Sequence, residues 1–306
     1  MREVKKPDFF IVGAPKSGTT SLYFYLNSHP EIFLPRRKEL LFFCDDLHFT
    51  YPLLTERQFL EYYKDLKNEK TAGEVSVWNL FSTNAAMRIK KFNGEAKIIA
   101  ILRNPVGMLY SLHSNHMFNQ NEIILDFEEA WSAVGDRKAG KKISEVIKCP
   151  IEGLYYTEIG KYSEQLQRYF DLFEKKNVKV ILYDDFKTNT KAVYSDLLNF
   201  LEVNESIIPE FKVYNSSKTI RSNWMRNITV NAPQWMRKTG RTLFPHQSAR
   251  RDWLMKTLWK INTKEAERKK ASSSIRSVVL NHYKDDIHQL QNLIERDLSI
   301  WFREVN

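Results

Sequence analysis

Three short apolar runs, each coupled to a helical pattern, constrain this chain more than any other feature of its sequence. Residues 8–13 (Asp-Phe-Phe-Ile-Val-Gly), 97–102 (Lys-Ile-Ile-Ala-Ile-Leu) and 178–183 (Val-Lys-Val-Ile-Leu-Tyr) are nearly continuous in apolar and β-branched side chains. Such runs fit strands buried on both faces, not strands with one wet side. After the first run, Thr19-Thr20-Ser21 offers helix caps, and Leu22, Tyr23, Tyr25 and Leu26 give one apolar face until His29-Pro30 ends it. Residues 106–116 read as a helix after the second run. Residues 160–173 are amphipathic before the third, and a helix containing residues 192–201 follows it. The tail from Ser274 to Phe302 places Ile275, Val278, Val279, Tyr283, Ile287, Leu290, Leu293 and Ile294 at helical spacing and is predicted to pack on the sheet. Strands alternating with helices predict an α/β fold: one domain over residues 1–306, with a central parallel β-sheet flanked by helices. No internal repeat is visible.

The segment joining the first strand to its helix is Gly13-Ala14-Pro15-Lys16-Ser17-Gly18-Thr19-Thr20. In such a strand-loop-helix, successive backbone N–H groups point inward and the helix N-terminus adds partial positive charge, so an anion belongs there. The loop is not a Walker A sequence, because Gly18 is followed by Thr19 and the lysine lies two residues before Gly18. Gly and Ser/Thr also serve ordinary turns. The complete Pro-Lys-Ser-Gly-Thr-Thr string directly after a strand favours phosphate binding.

Composition excludes several classes. The 306 residues are 42% apolar and 27% charged with 10 Gly and 10 Pro, neither collagenous nor of disordered character. No apolar run approaches the roughly 18 residues of a membrane-spanning helix. Pro7-Asp8 breaks any signal-type pattern after Met1, so the expected location is cytoplasmic. The two cysteines, Cys44 and Cys149, form neither a disulfide framework nor a zinc motif, and buried thiols are expected. His113 and His116 have no acidic residue beside them at metal-ligand spacing, so no metal site is expected. The net charge of +10 is concentrated: residues 218–270 hold fourteen Lys or Arg against three acidic residues. One basic face meeting an anionic partner follows. Trp224, Trp235, Trp253 and Trp259 lie among these charges. They suit contact with a nucleotide, an acidic polysaccharide, a membrane interface or nucleic acid, and equally a solvated helix pair packed on the core.

Pro15-Lys16-Ser17-Gly18-Thr19-Thr20 resembles the 5′-phosphosulfate loop of sulfotransferases that use 3′-phosphoadenosine 5′-phosphosulfate (PAPS). In that family an Arg at the end of a later strand and a Ser about eight residues on grip the 3′-phosphate, and here Arg103-Asn104-Pro105 and Ser111 stand at that spacing. A guanidinium suits the role because it binds phosphate bidentately and stays charged. Lys38-Glu39-Leu40-Leu41-Phe42-Phe43, Asp126-Phe127-Glu128-Glu129-Ala130, Tyr183-Asp184-Asp185-Phe186 and Arg296-Asp297-Leu298-Ser299-Ile300-Trp301 resemble further segments of the family, so the likeness runs over nearly the whole chain. The subfamily it points to is bacterial, related to heparan sulfate sulfotransferases and to sulfotransferase domains of polyketide assembly lines. The fold implied is the P-loop, nucleotide-kinase-like sulfotransferase fold.

The resemblance implies transfer of a sulfuryl group to an acceptor hydroxyl. Such transfer needs a base for the acceptor proton and a cation for the departing phosphate oxygen. Glu74, in Gly73-Glu74-Val75-Ser76, stands where heparan-type enzymes carry Glu-Lys-Ser/Thr-Pro, and is the implied base, although Val75 and Val77 replace the motif's Lys and Pro. Lys16 is the implied stabiliser of the leaving group, with no metal required. His113 and His116 share one helix face. His116 is carried as a catalytic candidate beside the reading of both as core histidines. Ser17, Gly18, Thr19, Thr20 and Ser21 complete the implied cofactor loop. Ser217, Lys218 and Arg221 resemble a late loop that closes over the nucleotide. Residues 218–270 would then border acceptor access, with possible anionic or membrane-interface contact and no nucleic acid expected. The acceptor, whether glycan, lipid or small metabolite, is open, and amines fit the same chemistry. A P-loop small-molecule kinase is the first alternative, with Asp184 or Asp185 as its metal ligand. A non-catalytic nucleotide- or polyanion-binding protein is the second, and the pairing of Lys16 with Glu74 speaks against it.

Overall fold

Five parallel strands run in the order β2-β3-β1-β4-β5: β1 (Phe9–Gly13), β2 (Ile32–Phe33), β3 (Thr71–Val75), β4 (Lys97–Leu102) and β5 (Val178–Leu182). The computed structural model describes residues 6–212, 218–220, 263–265 and 272–303. Among these, the helices are α1 (Thr19–Asn27), α2 (Glu56–Glu61), α3 (Ala85–Phe92), α4 (Pro105–Asn119), α5 (Phe127–Ser132), α6 (Val134–Lys138), α7 (Tyr156–Ile159), α8 (Tyr162–Phe170), α9 (Tyr183–Thr188), α10 (Thr190–Phe200) and α11 (Ser273–Ile294). All three predicted strands are present. The predicted helix over 106–116 extends to Pro105–Asn119, with Pro105 at its first turn and Asn104 capping the Val106 N–H.

The sheet is covered on both faces, as its apolar runs require. Phe9, Ile11, Ile99 and Ile101 pack on Leu22 and Leu26 of α1 and on Tyr194, Leu197 and Leu198 of α10. The alternate residues Phe10, Val12, Ile98, Ala100 and Leu102 join a larger cluster containing Phe59 of α2, Ile89 of α3, Leu112 of α4 and Leu166 of α8. Each fully buried side chain of this kind contributes about 1.5–3 kcal/mol. α11 packs against α8 and α4. Its Tyr283 ring occupies the space beside Gly160, where an added Cβ would come within 2.7 Å.

Two strands lie outside the three apolar runs. β3 contains Gly73 and Glu74, and its glycine is dictated by packing: a Cβ there would sit 2.1 Å from the Phe9 ring of the neighbouring strand. The chain leaves β1 towards the β2 edge and leaves β4 towards the β5 edge, so the direction reverses between these neighbours, and their carboxyl ends form the crevice where open α/β sheets bind ligands.

Residues 215–270 cluster as a compact unit separate from residues 1–214 and 271–306. Its described part is an antiparallel pair, β6 (Lys218–Ile220) with β7 (Thr263–Glu265), in which Thr219 opposes Lys264. Among the described residues, no helix is long and apolar enough to cross a membrane.

Candidate active site

At the carboxyl end of β1, the chain turns through two left-handed residues, Lys16 (φ 57°) and Gly18 (φ 97°), before entering α1. Gly18 is the N-cap, no side chain caps the helix, and its first turn carries no acidic residue. Alternating backbone hands at Lys16 and Gly18 give this turn the concave shape of a backbone nest, a form that suits an anion. Glycine is required at 18, because a Cβ would approach the Phe186 ring at 3.2 Å and Tyr183 at 3.3 Å. Ser17 is buried and its hydroxyl donates to Pro15 O at 3.3 Å. Thr19 is buried, and Thr20 and Ser21 are half-buried at the start of α1.

Arg103, at the end of β4, folds back over this loop. Its guanidinium donates to the Lys16 carbonyl at 3.2 Å and stacks on the Tyr183 ring at 4.7 Å. It also lies against Gly107, where a Cβ would meet it at 3.1 Å. Ser111 is buried one turn further along α4 than Gly107, so it shares the helix face on which the guanidinium rests. The two residues of the expected 3′-phosphate grip are thus on one side of the nest. Behind them, the buried Tyr162 hydroxyl lies beside Ser17 and the Arg103 backbone without completing a hydrogen bond.

A carboxylate cluster faces the nest from β3 and from the segment before it. Glu74 is 1% exposed, and both of its oxygens are engaged, Oε1 by the Ser76 hydroxyl and Oε2 by Asn79 Nδ2 at 3.2 Å. Burial pushes its pKa up to about 8 against the pull of Ser76, with the Glu39 charge adding to the rise and Lys38 opposing it. Ser76 Oγ also accepts from the Leu41 N–H at 3.1 Å, tying β3 to the Lys38–Phe43 segment. That segment bends through left-handed Glu39 (φ 57°) and Leu41 (φ 59°). Glu39 keeps 34% of its side chain exposed, accepts from the Val77 N–H at 3.0 Å and lies 3.8 Å from Lys38 Nζ. Its pKa is raised by burial and held down by Lys38. Lys38 donates to Thr20 Oγ1 at 3.0 Å and so joins the carboxylates to the nest.

From sequence alone the Lys38–Phe43 segment carries a family likeness but no role. Ser76 and Asn79 carry none either. The adjacent Lys-Glu pair was a visible signal, but its meaning depends on the turn that brings it to Thr20.

His116 is 2% exposed and stacks at 25° on Trp78. Among the described residues its Nδ1 has no hydrogen-bond partner, and burial, with His113, Lys16 and Arg137 nearby, lowers its pKa to about 3. It is a neutral imidazole, with Nδ1 unpartnered among the described residues. His113 is different, since its Nε2 is hydrogen-bonded to Ile124 O at 2.9 Å, as a core histidine should be. An ion pair absent from the sequence reading anchors this flank: Arg137 and Glu122, both fully buried, meet at 2.7 Å, with Tyr156 OH on Glu122 at 2.9 Å. The acidic residues after β5 are engaged, Asp184 by Trp301 Nε1 at 3.1 Å and Asp185 by Arg296 at 2.8 Å. Cys44 is buried and Cys149 half-buried, both as free thiols. Ser217 and Arg221 lie outside the described residues, and of Lys218 only the β6 backbone is described.

An uncapped anion nest at the switch point of a parallel sheet, opposite carboxyls whose proton affinity is raised by burial, places the protein among the phosphate-loop α/β transferases. The model of the sulfotransferase domain matches residues 6–286, and the chain belongs to that family. A solved sulfotransferase from Alicyclobacillus acidocaldarius superposes with a TM-score of 0.72 at 26% identity, covering 98% of this chain and all of that one. Among curated proteins, the membrane-associated sulfotransferase kil1 of Dictyostelium discoideum is 22% identical over 68% of this chain and 59% of its own length. The human bifunctional heparan sulfate N-deacetylase/N-sulfotransferase 3 is 24% identical over 81% of this chain and 28% of its own length. The chain therefore spans little more than half of the first relative and less than a third of the second.

Proposed function

We propose that this sulfotransferase takes its sulfuryl group from PAPS and delivers it to a hydroxyl acceptor. The observation that carries the reading is the Arg103 guanidinium laid over the carbonyl of Lys16. One side chain thus links the 5′-phosphate nest to the α4 face that bears Ser111. Ser17, Gly18, Thr19, Thr20 and Ser21 hold the 5′-phosphate, and Arg103 and Ser111 hold the 3′-phosphate that separates this nucleotide from ATP. Lys16 neutralises the charge that grows on the departing phosphate oxygen. Because that charge comes from an ammonium, the reaction proceeds in EDTA.

Glu74 and Glu39 compete for the proton of the acceptor. Glu74 was the assignment from sequence, but a carboxyl with a pKa of about 8 is mostly protonated at neutral pH, and both of its oxygens are engaged. Accessibility favours Glu39 as the base, with Glu74 holding Ser76 and the turn behind it. His116 offers its Nδ1 to the acceptor as a neutral hydrogen-bonding group. Ser217, Lys218 and Arg221 stay in the proposal as nucleotide contacts on the resemblance of their loop alone. The acceptor class is a glycan, a lipid or a small metabolite, and the name of the heparan sulfate N-sulfotransferase relative favours the first. The free thiols Cys44 and Cys149 suit the reducing cytoplasm, a location that cell fractionation tests.

The kinase alternative has lost support, since Asp184 and Asp185 already bind Trp301 and Arg296. Titration calorimetry with adenosine 3′,5′-bisphosphate in EDTA, beside ATP, decides between them. Micromolar binding that ATP does not match, and that Arg103→Ala weakens roughly tenfold or more, supports the sulfotransferase reading. A preference for Mg-ATP would return the loop to kinase chemistry.

A further inference from the structure

Lys38 belongs to both halves of the site. Its ammonium donates to Thr20 Oγ1 at the N-terminus of α1, stands 3.8 Å from Glu39 and lies close enough to Glu74 to oppose the rise in that carboxyl's pKa. The side chain is 17% exposed, and burial lowers its own pKa. A cation held this far from water needs an anion to match it, or it is a net cost. Glu39 supplies one charge, but Glu74 holds its proton at neutral pH and supplies little. The residue after Glu74 on β3 is Val75, buried among apolar side chains of the sheet, so β3 brings no cation of its own to this place.

We propose that Lys38 is a catalytic residue of the transfer step, its ammonium contacting the sulfonate oxygens of the donor between the phosphate nest and Glu39. The proposal rests on the sulfuryl-transfer reading above. In that step, the acceptor oxygen forms a bond to sulfur while the bond between sulfur and the 5′-phosphate oxygen breaks. The electron pair of the broken bond leaves on that oxygen, beside Lys16, and the acceptor proton passes to Glu39. The sulfonate oxygens are negative throughout and sit between the two ends of this displacement. Thr20 fixes the Lys38 ammonium at the rim of the nest, where the outer end of a donor seated by its 5′-phosphate must project. Lys16 and Lys38 then divide the work, one serving the leaving oxygen and the other the group in transit.

Two nucleotides that differ only in the sulfonate test this without an acceptor. Calorimetry at neutral pH measures the affinity of PAPS and of adenosine 3′,5′-bisphosphate for the wild type, Lys38→Met and Lys38→Arg. Lys38→Met is expected to bind the bisphosphate within about threefold of wild type and PAPS roughly tenfold more weakly, the size of one charge-assisted contact, and Lys38→Arg to recover most of the loss. Retained bisphosphate binding also shows that the variant is folded. An equal loss for both nucleotides would make Lys38 a prop for the loop and overturn the proposal, as would no loss for either. A wild type that binds neither nucleotide instead fails the sulfuryl-transfer reading itself, and the role of Lys38 falls with it.

Discussion

The proposed nucleotide side and the proposed acceptor side of this site are built from different materials. On the nucleotide side, backbone does most of the holding: a nest of left-handed residues, an uncapped helix start and one arginine stacked on a tyrosine. On the acceptor side, side chains do it: Lys38, Glu39, Glu74, Ser76 and Asn79, from segments far apart in the chain, share one hydrogen-bonded cluster. Backbone donors cannot titrate, so a nest of this kind would hold an anion at any working pH. Clustered carboxyls shift one another's protons, so the acceptor side is where chemistry is tuned. A donor nucleotide of fixed structure needs the first kind of construction, and a proton to be moved needs the second.

The sharpest way to break this division is to remove the proposed base, Glu39. Glu39→Gln is expected to lower turnover by about 10²- to 10⁴-fold while leaving the affinity for adenosine 3′,5′-bisphosphate near that of the wild type. Turnover is read as bisphosphate released from PAPS in the presence of the best hydroxyl compound from an acceptor screen. Should Glu74→Gln abolish turnover while Glu39→Gln retains it, the base is Glu74 and the exposure argument is wrong. Lys16→Met attacks the other side and is expected to cost roughly 10²- to 10³-fold in turnover, the range for removing one transition-state charge partner. Unlike Glu39→Gln, it should also weaken bisphosphate binding, because the proposal seats the 5′-phosphate against Lys16.

Gly18→Ala is the smaller, purely steric test. A methyl group at φ 97° meets Phe186 at 3.2 Å, and left-handed strain in a residue with a Cβ costs about 1–2 kcal/mol. Bisphosphate affinity should fall roughly tenfold as the nest opens to relieve the contact, with the pH profile of turnover unchanged. A shifted profile would show that the loop also sets the state of the carboxyls, and would merge the two halves.

The same difference in construction decided what could be read from the sequence. The nest lies within six consecutive residues after an apolar run, and Arg103 and Ser111 sit on one strand end and the helix that follows it, so local pattern placed them, while their shared role came from the family resemblance. The three apolar runs gave the core of the sheet for the same reason. β3 was missed as a strand because Gly73 and Glu74 interrupt it, and its glycine answers to Phe9 on another strand. Lys38 and Glu39 were visible as a pair, but their approach to Thr20 depends on left-handed backbone at Glu39 and Leu41, which no local pattern announces. The buried pair of Glu122 and Arg137 was hidden too, since its members stand fifteen positions apart with the helix α5 between them.

The state of Glu74 is the finest test of the division, and the sign of its effect is fixed. Its pKa is about 8 in the folded protein against 4.5 for the free side chain, so between those values the folded state keeps a proton that the unfolded chain has released. Stability must therefore fall as pH rises through that window, and the contribution is flat below it. Glu74→Gln removes the titration, while Lys38 and Glu39, the charged groups that face it, remain in both proteins and largely cancel. The difference in urea midpoint between Glu74→Gln and wild type, followed from pH 5 to pH 8, should drift steadily in favour of the glutamine variant. A difference that stays constant over this range would mean that Glu74 is ionised throughout and paired with Lys38. The ammonium would then be spoken for, Glu74 would be free to act as a base at neutral pH, and the assignment of roles to Glu39 and Lys38 would have to be exchanged for one centred on β3.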